Sequence, residues 1–242
     1  MTTSLQDQTV LIINGSPGIG LAVAKLVVDE GARLTIASHA QGQLEQANQA
    51  VDADVNTDII NTLEENSIKA FFATHDSFDH IISLTGYSNG TGHTLGGGVL
   101  DSDIPTARNT IESAFWRQFY IGRYGGPKVK PGGSLTLTSG SGPPHCQAIA
   151  TEVANAGVSV LAESLAKELA PVRVNVVAPY YVDTPRSSDM EDLEQGQLEC
   201  VGQQLPMGQV SPTEDVAFTY LHVLQGHHIT GTTMWCPVTL LS

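Results

Sequence analysis

The strongest constraint on this chain lies near its start. The β-branched apolar run Thr9-Val-Leu-Ile-Ile13 leads directly into Asn14-Gly-Ser-Pro-Gly-Ile-Gly20, after which apolar residues recur at a helical period through Leu21, Ala24, Val27 and Val28. Strand, glycine-rich turn and helix follow in that order. Gly31 closes the helix and Arg33-Leu-Thr-Ile-Ala37 supplies a second strand, completing a βαβ unit of the usual length, about 30 residues. Chain chirality then makes the crossover right-handed.

The alternation continues. A helix is expected from about Gln43, a third strand near Asp58-Ile-Ile60, a helix over Ser67 to Ala73, and a fourth strand at His80-Ile-Ile-Ser83. Beyond the glycine-rich stretch 89–98, a helix around Ile111 to Tyr124 precedes the strand Gly133-Ser-Leu-Thr-Leu-Thr138. Ala148 to Ala170 reads as a long helix that Pro171 ends, and Arg173-Val-Asn-Val-Val177 is the sixth strand. After an acidic, poorly periodic stretch, 183–208, come a helix at Glu214 to Leu224 and a last strand near Thr232 to Trp235. The pattern predicts an α/β fold: one domain over residues 1–242, a doubly wound (Rossmann) parallel sheet with helices on both faces. Neither an internal repeat nor an interdomain linker interrupts it.

Composition narrows the partners. The 242 residues are 41% hydrophobic and 15% charged, enough for one sizeable core. Twenty-five acidic against eleven basic residues give a net charge of −14, which repels nucleic acid and anionic membranes. Cys146, Cys200 and Cys236 lack the spacing of a zinc site or disulfide framework and read as free thiols. The histidines form no helical ligand pair with acidic support, His227-His228 included, so no metal is expected. The first residues carry no basic, apolar leader, and no segment reaches the roughly 20 apolar residues of a membrane span. A cytoplasmic protein is the expectation.

In this order of elements the first strand-to-helix turn is where a pyrophosphate binds, because backbone N–H groups and the positive helix end converge there. Gly15, Gly18 and Gly20 tolerate close backbone approach, and Ser16 adds a hydroxyl donor. The run Ile12-Ile-Asn-Gly-Ser-Pro-Gly-Ile-Gly20 resembles the Thr-Gly-x-x-x-Gly-Ile-Gly signature of the short-chain dehydrogenases/reductases. Asn14 falls on the family's first glycine and Ile19 within the motif; asparagine is the residue type next best able to occupy the left-handed region.

The resemblance extends over essentially the whole chain, with each station altered. Ser83-Leu-Thr-Gly86 is similar to the family's Asn-Asn-Ala-Gly, which implies that Ser83, Thr85 and Gly86 line the cofactor ribose. The family's acidic adenine-edge residue falls best on Asn61, with Thr62 after it; Asp54-Val55 is closer in type but comes too early. Asn175-Val-Val-Ala-Pro-Tyr-Tyr-Val-Asp-Thr-Pro185 resembles the segment that holds the nicotinamide amide, so that role passes to Pro179, Val182 and Thr184. Tyr180 puts a bulky ring where the family has glycine. At the end of the second strand, Ser38-His39 carries no carboxylate to accept a ribose hydroxyl, which favours NADP over NAD, with Ser38 as donor and His39 as a titratable substitute for the usual arginine.

Chemistry in this family depends on a serine at a strand end and a Tyr-x-x-x-Lys helix, in which lysine and cofactor lower the tyrosine's pKa. Thr136-Leu-Thr-Ser139 supplies the serine. The helix Ala154-Asn-Ala-Gly-Val-Ser-Val-Leu-Ala-Glu-Ser-Leu-Ala-Lys-Glu-Leu169 sets a register that puts Thr151 at the tyrosine and Asn155 at the lysine. A neutral amide cannot tune an acid by its charge, and an aliphatic hydroxyl is too weak an acid near neutral pH. The family's assisting asparagine is also absent, with Gln118 near its place. Candidate substitute acids are Tyr180, Tyr181, Glu152 and His145. Two readings follow: an NAD(P)(H)-dependent oxidoreductase of a small carbonyl or alcohol substrate with a degenerate site, or a nucleotide-binding pseudoenzyme serving as sensor or scaffold. Family analogy implies a homodimer or homotetramer through the two long helices, where Ala154, Ala156, Gly157, Ala162 and Ala166 permit close packing.

Overall fold

The computed structural model describes residues 4–15, 18–51, 53–85, 98–140, 149–180, 182–183, 202–203, 205 and 207–236. β1 (Thr9–Ile13), β2 (Arg33–Ser38) and β3 (Asn56–Ile59) alternate with α1 (Ile19–Asp29), α2 (Gln41–Ala50) and α3 (Glu65–Thr74). β4 (Phe78–Ser83) is followed by α4 (Ile104–Ile111), a π-helical turn (Glu112–Trp116), α5 (Arg117–Gly125), a 3-10 turn (Gly126–Lys128) and β5 (Val129–Thr138). Then come α6 (Ile149–Glu168), β6 (Arg173–Pro179), β7 (Val182–Asp183), β8 (Ser211–Pro212), α7 (Thr213–Gln225) and β9 (Thr233–Cys236).

Seven strands pair in parallel in the order β3-β2-β1-β4-β5-β6-β9. The chain winds outward from β1 to β3, crosses to β4 and winds the other way, so the order reverses between β1 and β4. A crevice opens at such a point outside the carboxyl ends of the strands. Alternation along β1 divides the core: Val10 and Ile12 pack with Val23, Leu44 and Tyr220 from α1, α2 and α7, while Leu11 and Ile13 pack with Phe72, Ile121 and Val158 from α3, α5 and α6. Burying each such side chain contributes about 1.5–3 kcal/mol. No helix among the described residues is long and apolar enough to cross a membrane.

Several elements depart from the sequence pattern. The helix expected from Ile111 begins at Ile104, where the Asp103 carboxylate accepts a bond from Thr106 N at 2.9 Å, and a π turn lies inside it. β5 starts at Val129 rather than Gly133, with a register shift against β4 between Phe78 and His80. β3 is Asn56–Ile59, and α2 and α3 are slightly longer than expected. The two-residue parallel pair β7–β8 has no periodic signal at that length.

At the amino ends of the strands, polar groups are paired, half-buried at Asp79 and buried at His80 and Arg173. Asp79 accepts from Thr9 N, Thr9 Oγ1 and Lys130 Nζ at 2.7–2.8 Å. His80 bridges Ser134 Oγ and Gln8 Oε1, both at 2.7 Å. Arg173, buried, donates to the carbonyls of Val223 and Leu224 at 2.7 Å and of Ile229 at 3.4 Å, closing the end of α7.

Candidate active site and cofactor crevice

The glycine turn is shaped by backbone contact. Asn14 has φ 65 and donates its N–H to Ala37 O at 2.7 Å, so the asparagine occupies the left-handed conformation its position demands. A Cβ on Gly20 would meet Asn14 O and the Gly15 backbone at 2.8 Å, so α1 is seated directly on the turn. Gly15 packs equally closely under Ile36. Gly18, with φ 97, caps α1, and Ile19 is the first helical residue. α1 has neither a capping side chain nor an acidic residue in its first turn, which leaves its positive end available to phosphate. The turn therefore fits a dinucleotide pyrophosphate. Ser16 lies outside the described residues.

Around the adenosine end, the expected donors are differently engaged. Ser38 is 1% exposed and donates its hydroxyl to Gln43 Oε1 at 2.8 Å, so it is already bonded within the protein rather than free for a 2′-phosphate. His39 is exposed. Asn61 turns its side chain onto the start of α3, accepting from Leu63 N and donating to Glu64 Oε1, while its own N–H reaches Ser67 Oγ. Thr62 is buried.

The ends of β4 and β5 are linked through one side chain. Gln118 is fully buried, and its Nε2 donates to Thr85 O, Thr85 Oγ1 and Thr138 O at 2.9–3.0 Å. Ser83 and Thr85 share a hydroxyl contact of 2.9 Å. Ser139 N donates to Val177 O at 3.0 Å, whereas its hydroxyl is buried without a hydrogen-bond partner. Thr151 and Asn155 stand one turn apart on α6, both half-buried. Asn155 Oδ1 accepts from Gly140 N at 3.0 Å, so Asn155 fastens the backbone just beyond Ser139. At the end of β6, Pro179 is buried and Tyr180 half-buried; Val182 is buried in the β7–β8 pair. Glu152 is half-buried on the first turn of α6.

Gly86, His145, Tyr181 and Thr184 lie outside the described residues, as do Cys146 and Cys200; Cys236 is a free thiol. Among the described residues no group of three or more metal-ligating side chains occurs. The sequence reading missed two features, the triple anchorage of Gln118 and the burial of its neighbour Arg117, which is 6% exposed. The signal for Gln118 was the inward spacing of Ala114, Gln118, Ile121 and Gly125; the burial of Arg117 had none.

A family model described as enoyl-(acyl carrier protein) reductase matches residues 14–236. The protein malC of Malbranchea aurantiaca, a short-chain dehydrogenase/reductase, is 30% identical over 95% of this chain and 93% of its own length. This chain belongs to the short-chain dehydrogenase/reductase family. A second relative in that family, ATR9 of Stachybotrys chlorohalonatus, is 28% identical, with 95% of both chains covered. Among solved structures, the MalC reductase/Diels-Alderase superposes with a TM-score of 0.81 at 26% identity, covering 97% of this chain and 96% of that one. A small-chain dehydrogenase in complex with NADPH gives a TM-score of 0.74 at 25% identity, covering 95% and 96%. Members of this family bind a nicotinamide cofactor.

Proposed function

We propose that this chain is an NADP(H)-preferring oxidoreductase of a carbonyl or alcohol substrate whose proton-transfer apparatus is depleted. The observation that carries the reading is the buried, unpartnered hydroxyl of Ser139 at the end of β5, in the crevice into which the uncapped end of α1 also opens. Bound NADPH would supply the hydride. Asn14, Gly15, Ser16, Gly18, Ile19 and Gly20 hold its pyrophosphate, Ser83, Thr85 and Gly86 its ribose, and Pro179, Val182 and Thr184 its amide. Ser139 donates to the substrate oxygen. Thr151 is too weak an acid to deliver a proton near neutral pH, and Asn155, neutral and bonded to Gly140 N, has no charge with which to assist it.

The lean to NADP rests on the missing carboxylate after β2, and it is supported by a relative from Lentilactobacillus kefiri named as an NADP-dependent alcohol dehydrogenase, 25% identical over 92% of this chain. A pseudoenzyme that senses the cofactor is the second reading, favoured by the Asn155–Gly140 bond, which makes a fixture of the family's catalytic station. Self-association as a dimer or tetramer is supported by exposed Trp116, Val153 and Val160 on the neighbouring long helices, and by exposed Phe218 and Trp235 on α7 and β9. We assign the protein to the cytoplasm on its three cysteines, an odd number without the spacing of a disulfide framework.

Fluorescence titration with NADPH and NADH, followed by a carbonyl-substrate screen, tests the proposal. NADPH should bind more tightly, and turnover should be slow and abolished by Ser139→Ala. Tighter NADH binding would reverse the cofactor assignment, and cofactor binding with no turnover of any carbonyl would favour the sensor.

A further inference from the structure

Ser38 is too buried to meet a cofactor itself, but it holds a residue that can. It is 1% exposed, and its hydroxyl donates to Gln43 Oε1 at 2.8 Å across the turn from β2 into α2. The bond draws the oxygen of the amide inward. Gln43 is half-buried, and its Nε2 makes no hydrogen bond among the described residues, so the nitrogen is left on the accessible side. An amide nitrogen carries two donors and no acceptor.

The same contact fixes where the amide stands. Ile36 and Ser38 share a face of β2, the face that packs with α1 and α2. A Cβ on Gly15 would meet Ile36 at 2.8 Å, so this face lies directly against the glycine turn, with Ser38 one step nearer the carboxyl edge. Asn14 N, bonded to Ala37 O, ties the turn to β2 from the backbone as well. Gln43 therefore stands beside the pyrophosphate turn on the β2 side, where the ribose of a bound adenosine lies. The first carboxylate after β2 is turned away from it. Glu45 accepts from Gln41 Nε2 at 3.2 Å on the exposed face of α2, and Gln43, two residues from each, lies on the other face. Asn61 is committed to Leu63 N and Glu64 Oε1, and no hydrogen bond among the described residues orients exposed His39.

We propose that Gln43 reads the 2′ position of the cofactor's adenosine ribose, and that Ser38 sets the reading by holding the amide oxygen inward. A 2′-phosphate offers only acceptors and meets the N–H donors; a 2′-hydroxyl finds no acceptor for its proton, the part a carboxylate plays for NAD. Ser38 is thus a positioning residue that acts through Gln43. The proposal rests on the dinucleotide reading above and names the residue pair behind its NADP preference.

Titration calorimetry with NADPH and NADH, and with adenosine 2′,5′-bisphosphate and adenosine 5′-monophosphate, reads the 2′ group apart from the nicotinamide. The parent should prefer the 2′-phosphorylated member of each pair. Gln43→Ala should weaken NADPH and the bisphosphate about ten-fold and NADH and the monophosphate less than about two-fold. Gln43→Glu keeps an acceptor for Ser38 and puts a carboxylate oxygen where the nitrogen stands, so it should reverse the preference in both pairs. Ser38→Ala frees the amide to turn and should narrow the preference about three-fold, a change of ratio that a loss of packing alone would not produce. His39→Ala should narrow it less than Gln43→Ala does. An unchanged ratio in Gln43→Ala or Ser38→Ala, a retained NADPH preference in Gln43→Glu, or a larger change in His39→Ala would overturn the proposal, while cofactor binding by those variants would leave the dinucleotide reading standing. A parent that prefers NADH would mean that the amide faces the ribose with its oxygen, which also overturns it. A parent that binds none of the four compounds would remove the dinucleotide reading and the proposal together.

Discussion

The two ends of the sheet treat buried polar groups in opposite ways. At the amino ends, buried His80 and Arg173 and half-buried Asp79 each meet donors or acceptors within the protein. At the carboxyl ends, Arg117 Nε, Gln118 Oε1 and Ser139 Oγ are buried with no partner. Buried polar atoms are nearly always paired, so the difference marks the unsatisfied end as the one arranged for a ligand. The amino end commits its hydrogen bonds to stability; the carboxyl end commits some, through Gln118 Nε2, Ser83 and Ser38, and leaves others unmade.

Arg173 breaks or sharpens that contrast most severely. Arg173→Met would leave the Val223 and Leu224 carbonyls at the end of α7 without this donor, while the Ile229 carbonyl keeps Asn175 Nδ2, and should lower unfolding free energy by about 3 kcal/mol or more. Urea denaturation of Arg173→Met and Arg117→Met side by side gives the comparison directly. Similar losses in both would erase the distinction between the ends.

His80 should contribute an effect of nearly the same size through pH. Burial first, and then the nearby Arg173 charge, hold its imidazole down at about 4 against 6.5 for the free group. The folded state therefore binds fewer protons than the unfolded chain between those values. Its stabilisation is complete above pH 6.5 and is lost as pH falls toward 4, by about 3 kcal/mol in all. Denaturation midpoints of the parent should fall over that window, whereas His80→Asn should give a flatter profile; parallel profiles would show that other groups carry the acid lability. Asp79 acts lower still. Burial opposes its charge, but bonds from Lys130 and Thr9 outweigh it and hold the carboxyl at about 2, so its contribution goes only as pH drops from 3.8 toward 2.

The carboxyl end can be tested for new chemistry at two positions of α6. Thr151→Tyr with Asn155→Lys restores the acid and its tuning cation one turn apart on α6, near Ser139. Turnover of an accepted carbonyl substrate should rise about 100-fold, the low end of what a general acid contributes. Either change alone should do little: tyrosine without the ammonium keeps a pKa near 10, about its free value, and lysine alone has no acid to tune. Asn155→Lys also removes the acceptor of Gly140 N, a loss of about 1 kcal/mol that melting would register. Additive gains, or none in a folded double variant that binds cofactor, would show that Tyr180 or the neighbouring loops obstruct the nicotinamide face.

The unequal legibility of the two ends has a physical cause. Strands such as Leu135, Leu137, Val174 and Val176 are buried and apolar, so their order and the parallel winding were readable. The left-handed conformation of Asn14 followed from its place on the family's glycine. By contrast, a single arginine in an amphipathic helix reads as a solvated side chain, and only the π turn together with the Gln118 anchorage brings Arg117 inside. Ser38 read as a donor for phosphate because its bond to Gln43 crosses from strand to helix, beyond any periodic pattern.

The smallest expected effect lies at Asn14, where backbone conformation can be separated from side-chain chemistry. With φ 65, asparagine holds a conformation that costs an L-residue roughly 1–2 kcal/mol in general and asparagine somewhat less. Asn14→Gly removes that strain but gives the unfolded chain more freedom to lose, so stability should change by less than about 1 kcal/mol in either direction. NADPH affinity should rise no more than about two- to three-fold, since Gly15, Gly18 and Gly20 already let the backbone approach a phosphate. A ten-fold gain would mean that the Asn14 side chain obstructs the cofactor and that the turn itself is degenerate. A ten-fold loss would mean that the side chain itself contacts the ligand. Near-equality would show that the turn tolerates asparagine, and would leave Thr151 and Asn155 as the positions at which the proposed loss of proton transfer is to be tested.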